Sequence, residues 1–277
     1  MTTNAAPLVS AIVTTRNSGK TLRRCLESLR GQTHRPLEVL VVDNASTDDT
    51  TSIADELADT VLDHGPERSA QRNLGVERAE GEFVLIVDSD MILEHEVVAD
   101  CVAAAAAGAA VVTIPEESVG AGVWGRAKTL ERSCYVGDDT IEAARFFRHS
   151  TFDEYGGYDE SMTGPEDWDL PARMRGREQF ARTKAKIFHL EGRPTLRELA
   201  RKKYYYGQGF ARYIGRNPRL AARQVQFVRP AYVRHWRRLA RTPALTTAMF
   251  WMKGVEYAAG GAGLSVALVR SRVRHRR

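Results

Sequence analysis

Short apolar segments alternate with amphipathic segments through the first half of the chain. The clearest apolar segments span residues 8–14, Leu37–Asp43 and Phe83–Asp88, and each one leads into polar residues. Segments 8–14 and 37–43 are rich in Val, Ile and Leu, as strands are, and the uninterrupted segment 83–87 is typical of a strand that is buried on both faces. Two shorter apolar segments, at residues 110–114 and 186–190, predict further strands.

The segments between these strands carry the helical period. Leu22, Leu26 and Leu29 fall on one face of a predicted helix, with Arg and Glu on the opposite face. Helices are also predicted around Ile53 and Leu57, over 68–79 and over 94–107, and another is predicted to begin at 164–170. Strands that alternate with helices in this way indicate a mostly parallel, Rossmann-like α/β sheet.

The last part of the chain has a different pattern. Residues 202–206 predict a basic, aromatic helix, and residues 244–269 are largely apolar and long enough to cross a bilayer. Lys253, Glu256 and the glycines between 260 and 263 interrupt the apolar segment. These interruptions favour a helix in the membrane interface, or a short hairpin. The alternative is an amphipathic helix packed on the protein itself.

Charge separates the chain into two parts. Residues 192–277 contain 20 Lys and Arg residues but only Glu198 and Glu256, a net charge of +18, whereas residues 1–191 carry a net charge of −13. A basic region with aromatic residues is suited to nucleic acid, an anionic membrane or a polyanionic substrate. Because no nucleic-acid-binding motif accompanies it, we expect no nucleic-acid partner and favour an anionic membrane surface.

The composition and the N-terminal sequence indicate the cellular compartment of the protein. The chain is 43% hydrophobic, which is ample for a folded core, and its three cysteines are far apart in sequence. A sparse, odd set of cysteines argues for a reducing compartment and against a disulfide scaffold or a zinc site. The N-terminus lacks the pattern of a signal peptide, so the expected location is the cytoplasm, at the inner face of the cell membrane.

Two carboxylates follow the apolar segment 83–87. Asp88 and Asp90 are two residues apart, so both can point to the same side at the carboxyl end of a strand, where open α/β sheets gather ligands. Such a pair suits Mn²⁺ or Mg²⁺ held against a diphosphate. A second pair with this spacing, Asp167 and Asp169, shows that the spacing alone is weak evidence for a metal site. The position of Asp88 and Asp90 after a buried strand strengthens the evidence for the first pair.

Several motifs occur in an order that resembles the family-2 glycosyltransferases, which have the GT-A fold. They are Thr14-Thr15-Arg16-Asn17, the segment from Val41 to Asp48, Arg72-Asn73-Leu74-Gly75, Asp88-Ser89-Asp90, Gly156-Gly157-Tyr158-Asp159 and Gly164-Pro165-Glu166-Asp167. The resemblance covers about residues 8–192, and Pro165 replaces the glycine of the commoner Gly-Glu-Asp form. It implies a GT-A catalytic domain over 1–192, with a nucleotide-sugar half (1–115) and an acceptor half (116–192), followed by a basic helical region (193–277).

The resemblance also implies which residues bind the donor, a nucleotide-diphosphate sugar. Asp43 is expected to accept a hydrogen bond from the nucleobase imino N–H; the alternative role is the capping of a turn. Arg72 and Asn73 are expected to reach the base or the phosphates, or else to form a surface salt bridge. The remaining donor-binding candidates are Thr14, Thr15, Arg16, Asn17, Asn44, Asp88 and Ser89.

For the metal, the resemblance implies Asp90 as a ligand, with Asp88 shared between the metal and the ribose. His189 is a third candidate, because a neutral imidazole suits Mn²⁺. The alternative for His189 is a histidine of the core.

For catalysis, the resemblance favours Asp167 as the general base that takes the proton of the acceptor hydroxyl. A helix N-terminus would help to keep this carboxylate ionised, but helix capping by Glu166, Asp167 or Asp169 is an alternative. Gly157, Tyr158, Glu166 and Trp168 are the expected acceptor or sugar pocket.

These residues together predict a metal-dependent inverting glycosyltransferase with a hydroxyl acceptor: a glycan, a lipid-linked sugar or a small molecule. Three alternatives stay open. The first is transfer to a polyprenyl-phosphate acceptor, which would not need a general base. The second is a non-catalytic module that binds a sugar nucleotide or a membrane and has no turnover. The third is a nucleotidyltransferase, which would have the same kind of sheet and a bound metal. The last is disfavoured because no glycine-rich phosphate loop follows the first strand.

Overall fold

The computed structural model describes residues 5–138 and 140–274. The chain forms two compact units. The first comprises Met1–Glu116, Ala143–Glu160 and Leu170–Leu190, and the second comprises Glu117–Glu142, Ser161–Asp169 and Glu191–Arg277.

The strands are short and the last helix is long. The strands are β1 Val9–Thr15, β2 Leu37–Asp43, β3 Thr60–Asp63, β4 Phe83–Asp88, β5 Met91–Leu93, β6 Val111–Thr113, β7 Glu116–Gly120, β8 Ala144–Arg148, β9 Phe180–Arg182 and β10 Ile187–Gly192. The helices are α1 Leu22–Arg30, α2 Thr50–Leu57, α3 Arg68–Glu77, α4 Val97–Ala106, α5 Gly122–Ser133, α6 His149–Glu154, α7 Glu166–Met174, α8 Leu196–Arg216, α9 Pro218–Gln224, α10 Pro230–Arg234, α11 Trp236–Arg241 and α12 Pro243–Arg274.

The first unit is built on a seven-stranded sheet with the order β3-β2-β1-β4-β8-β6-β9. Strands β1, β2, β3 and β4 are parallel, whereas β8 runs antiparallel to both β4 and β6. In register, Thr15 lies opposite Asp43 and Thr14 lies opposite Asp88. The carboxyl ends of β1, β2 and β4 therefore form one edge that carries both aspartates. The prediction of a mostly parallel sheet flanked by helices is confirmed.

Alternate residues of β1 enter different cores, because successive side chains of a strand point to opposite faces. Ala11 and Val13 pack with Leu22 and Leu26 of α1 in one core. Ile12 packs in the other core with residues of α3, α6 and α7, including Val76, Phe152 and Leu170. Burial on both faces is the reason that β1, β2 and β4 are largely apolar, and each of the three was predicted from the sequence.

A two-stranded antiparallel ladder extends the first unit beyond β4. Strand β5 pairs with β10, and His189 lies opposite Met91. Asp90 immediately precedes β5, and its carbonyl accepts a hydrogen bond from the backbone N–H of Leu190 (2.8 Å). This ladder places His189 beside Asp90, although the two residues are 99 positions apart in the sequence.

Helices dominate the second unit. Its main core joins α5, α8, α10, α11 and α12 through side chains that include Leu130, Leu199, Tyr232, Leu239 and Met252. Helices α8 and α12 come close where both carry glycine: a Cβ on Gly207 would lie 2.2 Å from the carbonyl oxygen of Gly260.

The structure differs from the sequence prediction for residues 244–269. This segment belongs to the continuous helix α12, so the predicted hairpin does not form. Lys253 and Glu256, which we interpreted as signs of a membrane interface, are 2% and 4% exposed and form ion pairs with Glu131 and Lys128 of α5. The alternative of a helix packed on the protein therefore describes α12. Within residues 5–138 and 140–274, no helix has the combined length and apolar character needed to cross a bilayer.

Candidate functional site

Hydrogen bonds from side chains join the first two strand-to-helix turns. Asp43 is 3% exposed and accepts bonds from the Thr15 hydroxyl (2.7 Å), the Ser46 hydroxyl (2.6 Å) and the Ser46 backbone N–H (2.8 Å). Asn17, which has a positive φ of 50°, donates its own N–H to the Ser46 hydroxyl and accepts the N–H of Thr47. Asp43 thus caps its turn. Its two oxygens offer about four lone-pair sites, so a further donor can still be accepted.

The other predicted donor-binding residues of this edge occupy different environments. Thr14 is a buried residue of β1, and Arg16 is exposed. Asn44 donates to the carbonyl of Pro66 (2.7 Å), and the hydroxyls of Ser89 and Ser18 are 2.8 Å apart. The Ser18–Ser89 bond connects the turn after β1 to the turn after β4, and so the three strand ends form one continuous polar edge.

Asp88 lies between two buried arginines. The guanidinium of Arg72, which has no exposed surface, is 2.8 Å from one carboxylate oxygen, and that of Arg145 is 3.4 Å from the other. Burial alone would raise the pKa of Asp88, but Arg72, Arg145 and Arg68 outweigh it and hold the pKa well below its usual range. Both oxygens of Asp88 are therefore engaged by guanidinium groups.

A chain of charged side chains continues from Arg145 to Asp90. Arg145 donates to Glu116 (2.5 Å), Glu116 lies 3.6 Å from Nδ1 of His189, and Nε2 of His189 lies 3.2 Å from a carboxylate oxygen of Asp90. Burial would lower the pKa of His189, but Asp90 and Glu116 outweigh it and raise the pKa to about 10. Both ring nitrogens thus face carboxylates, and this arrangement favours the imidazolium form, in which both nitrogens are protonated. We call the set Arg72, Asp88, Arg145, Glu116, His189 and Asp90 the strand-end cluster.

Among the described residues, no group of three or more His, Cys, Asp or Glu side chains is arranged to hold a metal ion. Asp90 and His189 nevertheless fit a cation that shares its ligands with a substrate. The Asp90 carboxylate is 37% exposed, and Nε2 of His189 faces it. Mg²⁺ and similar ions are bound in many proteins by one or two protein ligands together with substrate phosphates. A cation at this position would replace the proton on Nε2, because a protonated nitrogen has no lone pair to donate.

Asn73 has a structural contact that the sequence did not indicate. Its side-chain amide donates to the carbonyl of Tyr158 (2.9 Å) and accepts from the backbone N–H of Tyr158 (2.9 Å). A Cβ on Gly157 would lie 2.7 Å from the Asn73 amide oxygen. Asn73 therefore holds the turn at Gly157, whereas we expected it to reach the base or the phosphates.

Tyr158 was predicted as a pocket residue, and its role toward a substrate stays a prediction. Its ring is 3% exposed and packs against Phe152 in the second core of the first unit, with the Arg72 guanidinium 5.2 Å from the ring centre. In this structure the Tyr158 ring packs against the guanidinium of Arg72. The alternative of a surface salt bridge for Arg72 is wrong, because Arg72 is fully buried.

Three residues of the first unit were missed by the sequence prediction. Arg145 and Glu116 belong to the strand-end cluster, and Gln71 donates to the carbonyls of Thr15 (3.0 Å) and Val42 (2.6 Å), so that it joins β1 to β2. The one available signal was a charged residue, Arg145, within the apolar segment of β8. An arginine in a buried strand needs an acidic partner, but the sequence does not tell which one.

The predicted base belongs to the second unit and lies on the first turn of α7. Of its three acidic residues, Glu166 is 1% exposed and Asp169 is fully buried, while Asp167 is partly exposed. Asp169 accepts from Arg216 (2.8 Å) and from the side-chain amide of Asn217 (3.1 Å). Among the three, Asp167 is the residue that is not buried.

Trp168, predicted as a pocket residue, is partly buried in the second unit. Its indole N–H donates to the carbonyl of Ile141 (2.9 Å), and its ring packs beside Tyr213 with the ring centres 6.3 Å apart. These contacts anchor the first turn of α7. They leave the role of Trp168 toward a substrate as a prediction.

Comparison with known sequences gives a consistent result. The sequence profile of "Glycosyl transferase family 2" matches residues 10–159. A "PGL/p-HBAD biosynthesis glycosyltransferase" of Mycobacterium bovis is 30% identical over 184 residues, which cover 61% of this chain and 70% of the relative. Other relatives match over a shorter stretch: glycosyltransferase GlyG of Streptococcus pneumoniae is 33% identical over 98 residues. In GlyG, EpsH of Bacillus subtilis and YibD of Escherichia coli, the match spans 27% to 33% of the relative's length.

Solved structures share the fold. The mannosyltransferase PcManGT of Pyrobaculum calidifontis, in complex with GDP-Man and Mn²⁺, superposes with a TM-score of 0.59 at 20% identity, covering 96% of this chain and 76% of that one. Staphylococcus aureus TarS in complex with UDP-GlcNAc superposes with a TM-score of 0.54 at 20% identity, covering 93% and 90%. At these identities the likeness concerns the fold, which is GT-A.

Proposed function

This chain belongs to glycosyl transferase family 2, and we propose that it is a metal-dependent, inverting glycosyltransferase that moves a sugar from a nucleotide-diphosphate sugar to a hydroxyl acceptor. The observation that carries the proposal is the polar edge at the carboxyl ends of β1, β2 and β4. There Asp43, Asp88 and Asp90 lie at neighbouring strand ends, with His189 beside Asp90. Ligands of open α/β sheets bind at such an edge.

The nucleobase would bind at Asp43. Thr15 and Ser46 hold this carboxylate in place, and an imino N–H of uracil, thymine or guanine is the donor that a carboxylate can accept. The complexes of the two structural neighbours contain a guanine nucleotide and a uracil nucleotide. Both bases have the imino N–H, so Asp43 fits either one.

The diphosphate would lie near Asp90 and His189, which would hold the cation. When bound, Mn²⁺ or Mg²⁺ would act as a Lewis acid that offsets the charge of the leaving diphosphate. Arg72 and Arg145 hold Asp88 ionised and fixed. Asp88 is therefore better suited to accept a ribose hydroxyl, or to orient Asp90, than to serve as a principal metal ligand.

Asp167 would be the general base that removes the proton of the acceptor hydroxyl. Its side chain is partly exposed, whereas Glu166 and Asp169 are buried and Asp169 is held by Arg216 and Asn217. A carboxylate on the first turn of a helix is also kept ionised by the partial positive charge of the helix N-terminus.

The Asp167→Asn variant separates the proposal from its nearest rival. A polyprenyl-phosphate acceptor is already ionised and needs no base. We therefore expect near-complete loss of transfer with donor binding retained, and full transfer by this variant would support the phosphate acceptor instead.

The donor can be identified by thermal shift. UDP-glucose, UDP-N-acetylglucosamine, GDP-mannose and dTDP-rhamnose would each be added with and without Mn²⁺. A ligand that binds only the folded state raises its stability by RT ln(1 + [L]/Kd), so one nucleotide should raise the Tm in a manganese-dependent way. If donors bind but neither hydrolysis nor transfer occurs with Mn²⁺ across the panel, the result would favour a non-catalytic sugar-nucleotide module.

We also propose that the second unit meets the anionic inner surface of the cell membrane, where a lipid-linked acceptor would be found. Residues 218–251 contain seven arginines and no acidic residue. They also carry Trp236 and Trp251, which are 59% and 66% exposed. Tryptophan is favoured at the membrane interface, and each Lys or Arg near anionic lipid contributes about 1 kcal/mol.

Vesicle flotation tests this membrane proposal. The protein should float with vesicles that contain phosphatidylglycerol. With vesicles of phosphatidylcholine alone it should stay in the bottom fraction of the gradient. The Trp236→Ala and Trp251→Ala variants should weaken flotation, while Trp168→Ala, in the packed first turn of α7, should not. Equal flotation with both kinds of vesicle, or with neither, would contradict the proposal.

A further inference from the structure

We propose that one face of helix α8 positions the general base, by holding the segment 161–169 that carries Asp167. The inference rests on the proposed role of Asp167 and extends it to residues that do not touch the substrate. The positioning residues are Gly209 and Arg216 of α8 and Asn217, which follows the end of α8, and they act through Thr163 and Asp169. All of the contacts lie within the second unit.

The face is defined by a helical stripe that meets the segment at successive points. Tyr206, Gly209, Tyr213 and Arg216 are three or four positions apart, as expected for neighbours on one side of a helix, and Arg212 lies next to Tyr213. Tyr206 lies against Gly164, Gly209 against Thr163, Arg212 against Ser161, Tyr213 against Trp168, and Arg216 against Asp169. The segment is therefore held by α8 over three helical turns rather than at one point.

Asp169 is the electrostatic anchor of this arrangement. Its carboxylate is fully buried and accepts from Arg216 at 2.8 Å and from Asn217 at 3.1 Å. The Arg216 side chain is 37% exposed, so the buried member of the pair is Asp169, and loss of Arg216 would leave this buried charge without its cation, which is costly. The anchor thus has one strongly preferred arrangement, which fixes how the first turn of α7 is rotated.

That rotation decides where Asp167 points. Residues two positions apart on a helix are about 200° apart around its axis, since an α-helix has 3.6 residues per turn. With the Asp169 carboxylate directed to Arg216 and Asn217, Asp167 lies on the opposite side of the helix, where the residue is partly exposed. The anchored Asp169 and the partly exposed Asp167 are thus two consequences of one helix orientation.

The close approach at Gly209 is the steric part of the arrangement. A Cβ at this position would lie 2.6 Å from the carbonyl oxygen and 2.8 Å from the backbone nitrogen of Thr163. Backbone atoms cannot rotate away as a flexible side chain can, so any larger residue must displace the segment. Gly164, whose φ of +103° is one that side-chain-bearing residues rarely adopt, follows directly.

The opposite side of α8 is packed against α12. Here a Cβ on Gly207 would meet the carbonyl oxygen of Gly260, and one on Gly263 would lie 2.0 Å from that of Tyr204. Helix α8 therefore lies between α12 and the segment that carries Asp167. The basic C-terminal region would thus be needed for the chemical step itself, in addition to any role at a membrane.

A matched pair of glycine variants tests the steric part. Gly209→Ala and Gly215→Ala change the same residue type in the same helix, but a Cβ at Gly215 meets nothing within 4 Å. The readouts are the release of nucleoside diphosphate to water, which takes the place of the hydroxyl, from the donor chosen by thermal shift, and amide hydrogen exchange of residues 163–169. We expect Gly209→Ala to lower kcat about 10- to 100-fold and to speed exchange, and Gly215→Ala to change neither.

A second set tests the anchor. Asn217→Ala and Arg216→Ala should lower kcat while leaving the donor KM and the manganese-dependent thermal shift unchanged, because the donor residues belong to the first unit. Arg216→Lys keeps the charge and one donor, so it should recover part of kcat. A loss of donor binding equal to the loss of kcat, or no recovery with lysine, would indicate general unfolding and overturn the inference.

Asp167→Asn separates failure of the inference from failure of the proposed function. If Asp167→Asn keeps its activity, the assignment of the base is wrong, whatever the α8 variants do. If Asp167→Asn is inactive while Gly209→Ala and Arg216→Ala retain full kcat and normal exchange, the base assignment stands and the positioning role of α8 is refuted.

Discussion

The Arg72 guanidinium lies 2.8 Å from the Asp88 carboxylate and has no exposed surface. Arg72 was expected to face a nucleotide, and Asp88 to share a metal. Their pairing means that the first aspartate of the Asp-Ser-Asp motif is held by the protein itself. The second aspartate, with its more exposed carboxylate next to His189, is left to meet a ligand.

Removal of Arg72 should destabilise the fold. Breaking a buried ion pair by removing one partner costs about 3–5 kcal/mol, and we expect the lower end for Arg72→Ala because Arg145 still pairs with Asp88. Urea denaturation measures the change. The control is Arg23→Ala, which removes the exposed pair with Glu56 and should cost much less than Arg72→Ala, because solvent screens an exposed pair. Equal losses for the two variants would contradict the buried-pair interpretation.

The cation ligands can be tested without activity. In the presence of the selected nucleotide, Mn²⁺ should raise the Tm of the wild type but not of Asp90→Asn or His189→Ala, because each variant removes one of the two proposed protein ligands. Asp153→Asn, at a carboxylate close to a different histidine, His149, is the matched control and should respond as the wild type does. A preserved manganese response in Asp90→Asn would remove Asp90 from the proposed site.

The buried network of the second unit predicts a dependence of stability on pH. Burial would raise the pKa of Glu131, but Lys128 and Lys253 outweigh it and hold the pKa well below 4.5. A carboxyl whose pKa is lower in the folded state contributes stability above its unfolded pKa and loses it as the pH falls through its folded pKa. The free energy of unfolding should therefore fall as the pH drops below about 4.5.

Glu131→Gln tests this pH dependence. The variant should be less stable at pH 7, by about 3–5 kcal/mol, and it should lose less stability than the wild type on acidification. Glu77→Gln, at an exposed position of α3, should match the wild type in both respects. An acid-induced loss that is unchanged in Glu131→Gln would mean that other carboxylates cause it.

The start of α8 offers a simpler test. The Thr195 hydroxyl accepts the backbone N–H of Glu198, and the Glu198 carboxylate accepts the backbone N–H of Thr195, which together form a capping box. Thr195→Ala should lower the free energy of unfolding by about 1 kcal/mol, as measured by urea denaturation. Thr247→Ala, at an exposed position inside α12, should change it by much less.

Much of the first unit follows from local sequence patterns. The largely apolar segments predicted β1, β2 and β4, and the period of Leu22, Leu26 and Leu29 predicted α1. Such patterns are informative because the spacing of apolar residues along a short segment reflects which faces of the strand or helix are buried. The glycosyltransferase family was also evident from short motifs in a fixed order.

Short strands and long-range partners were not predictable in this way. Strand β5 has three residues, too few to show a period, and it forms because β10 pairs with it. Arg145 and Asp88 are 57 positions apart in the sequence, and nothing local in either segment specifies the other. Pairing of this kind depends on how β8 enters the sheet between β4 and β6.

The sequence by itself determined the family, the mostly parallel sheet and the edge that carries Asp43, Asp88 and Asp90, because these depend on local periodicity and on motifs within single turns. Tertiary structure decided which charged side chains pair with each other. It paired Asp88 with two arginines and placed His189 beside Asp90. It also buried Lys253 and Glu256 against α5, where the sequence pattern had indicated a membrane interface. A charged side chain has the same identity in water and in a core, and only the packing of distant segments determines which partner offsets the cost of burying it.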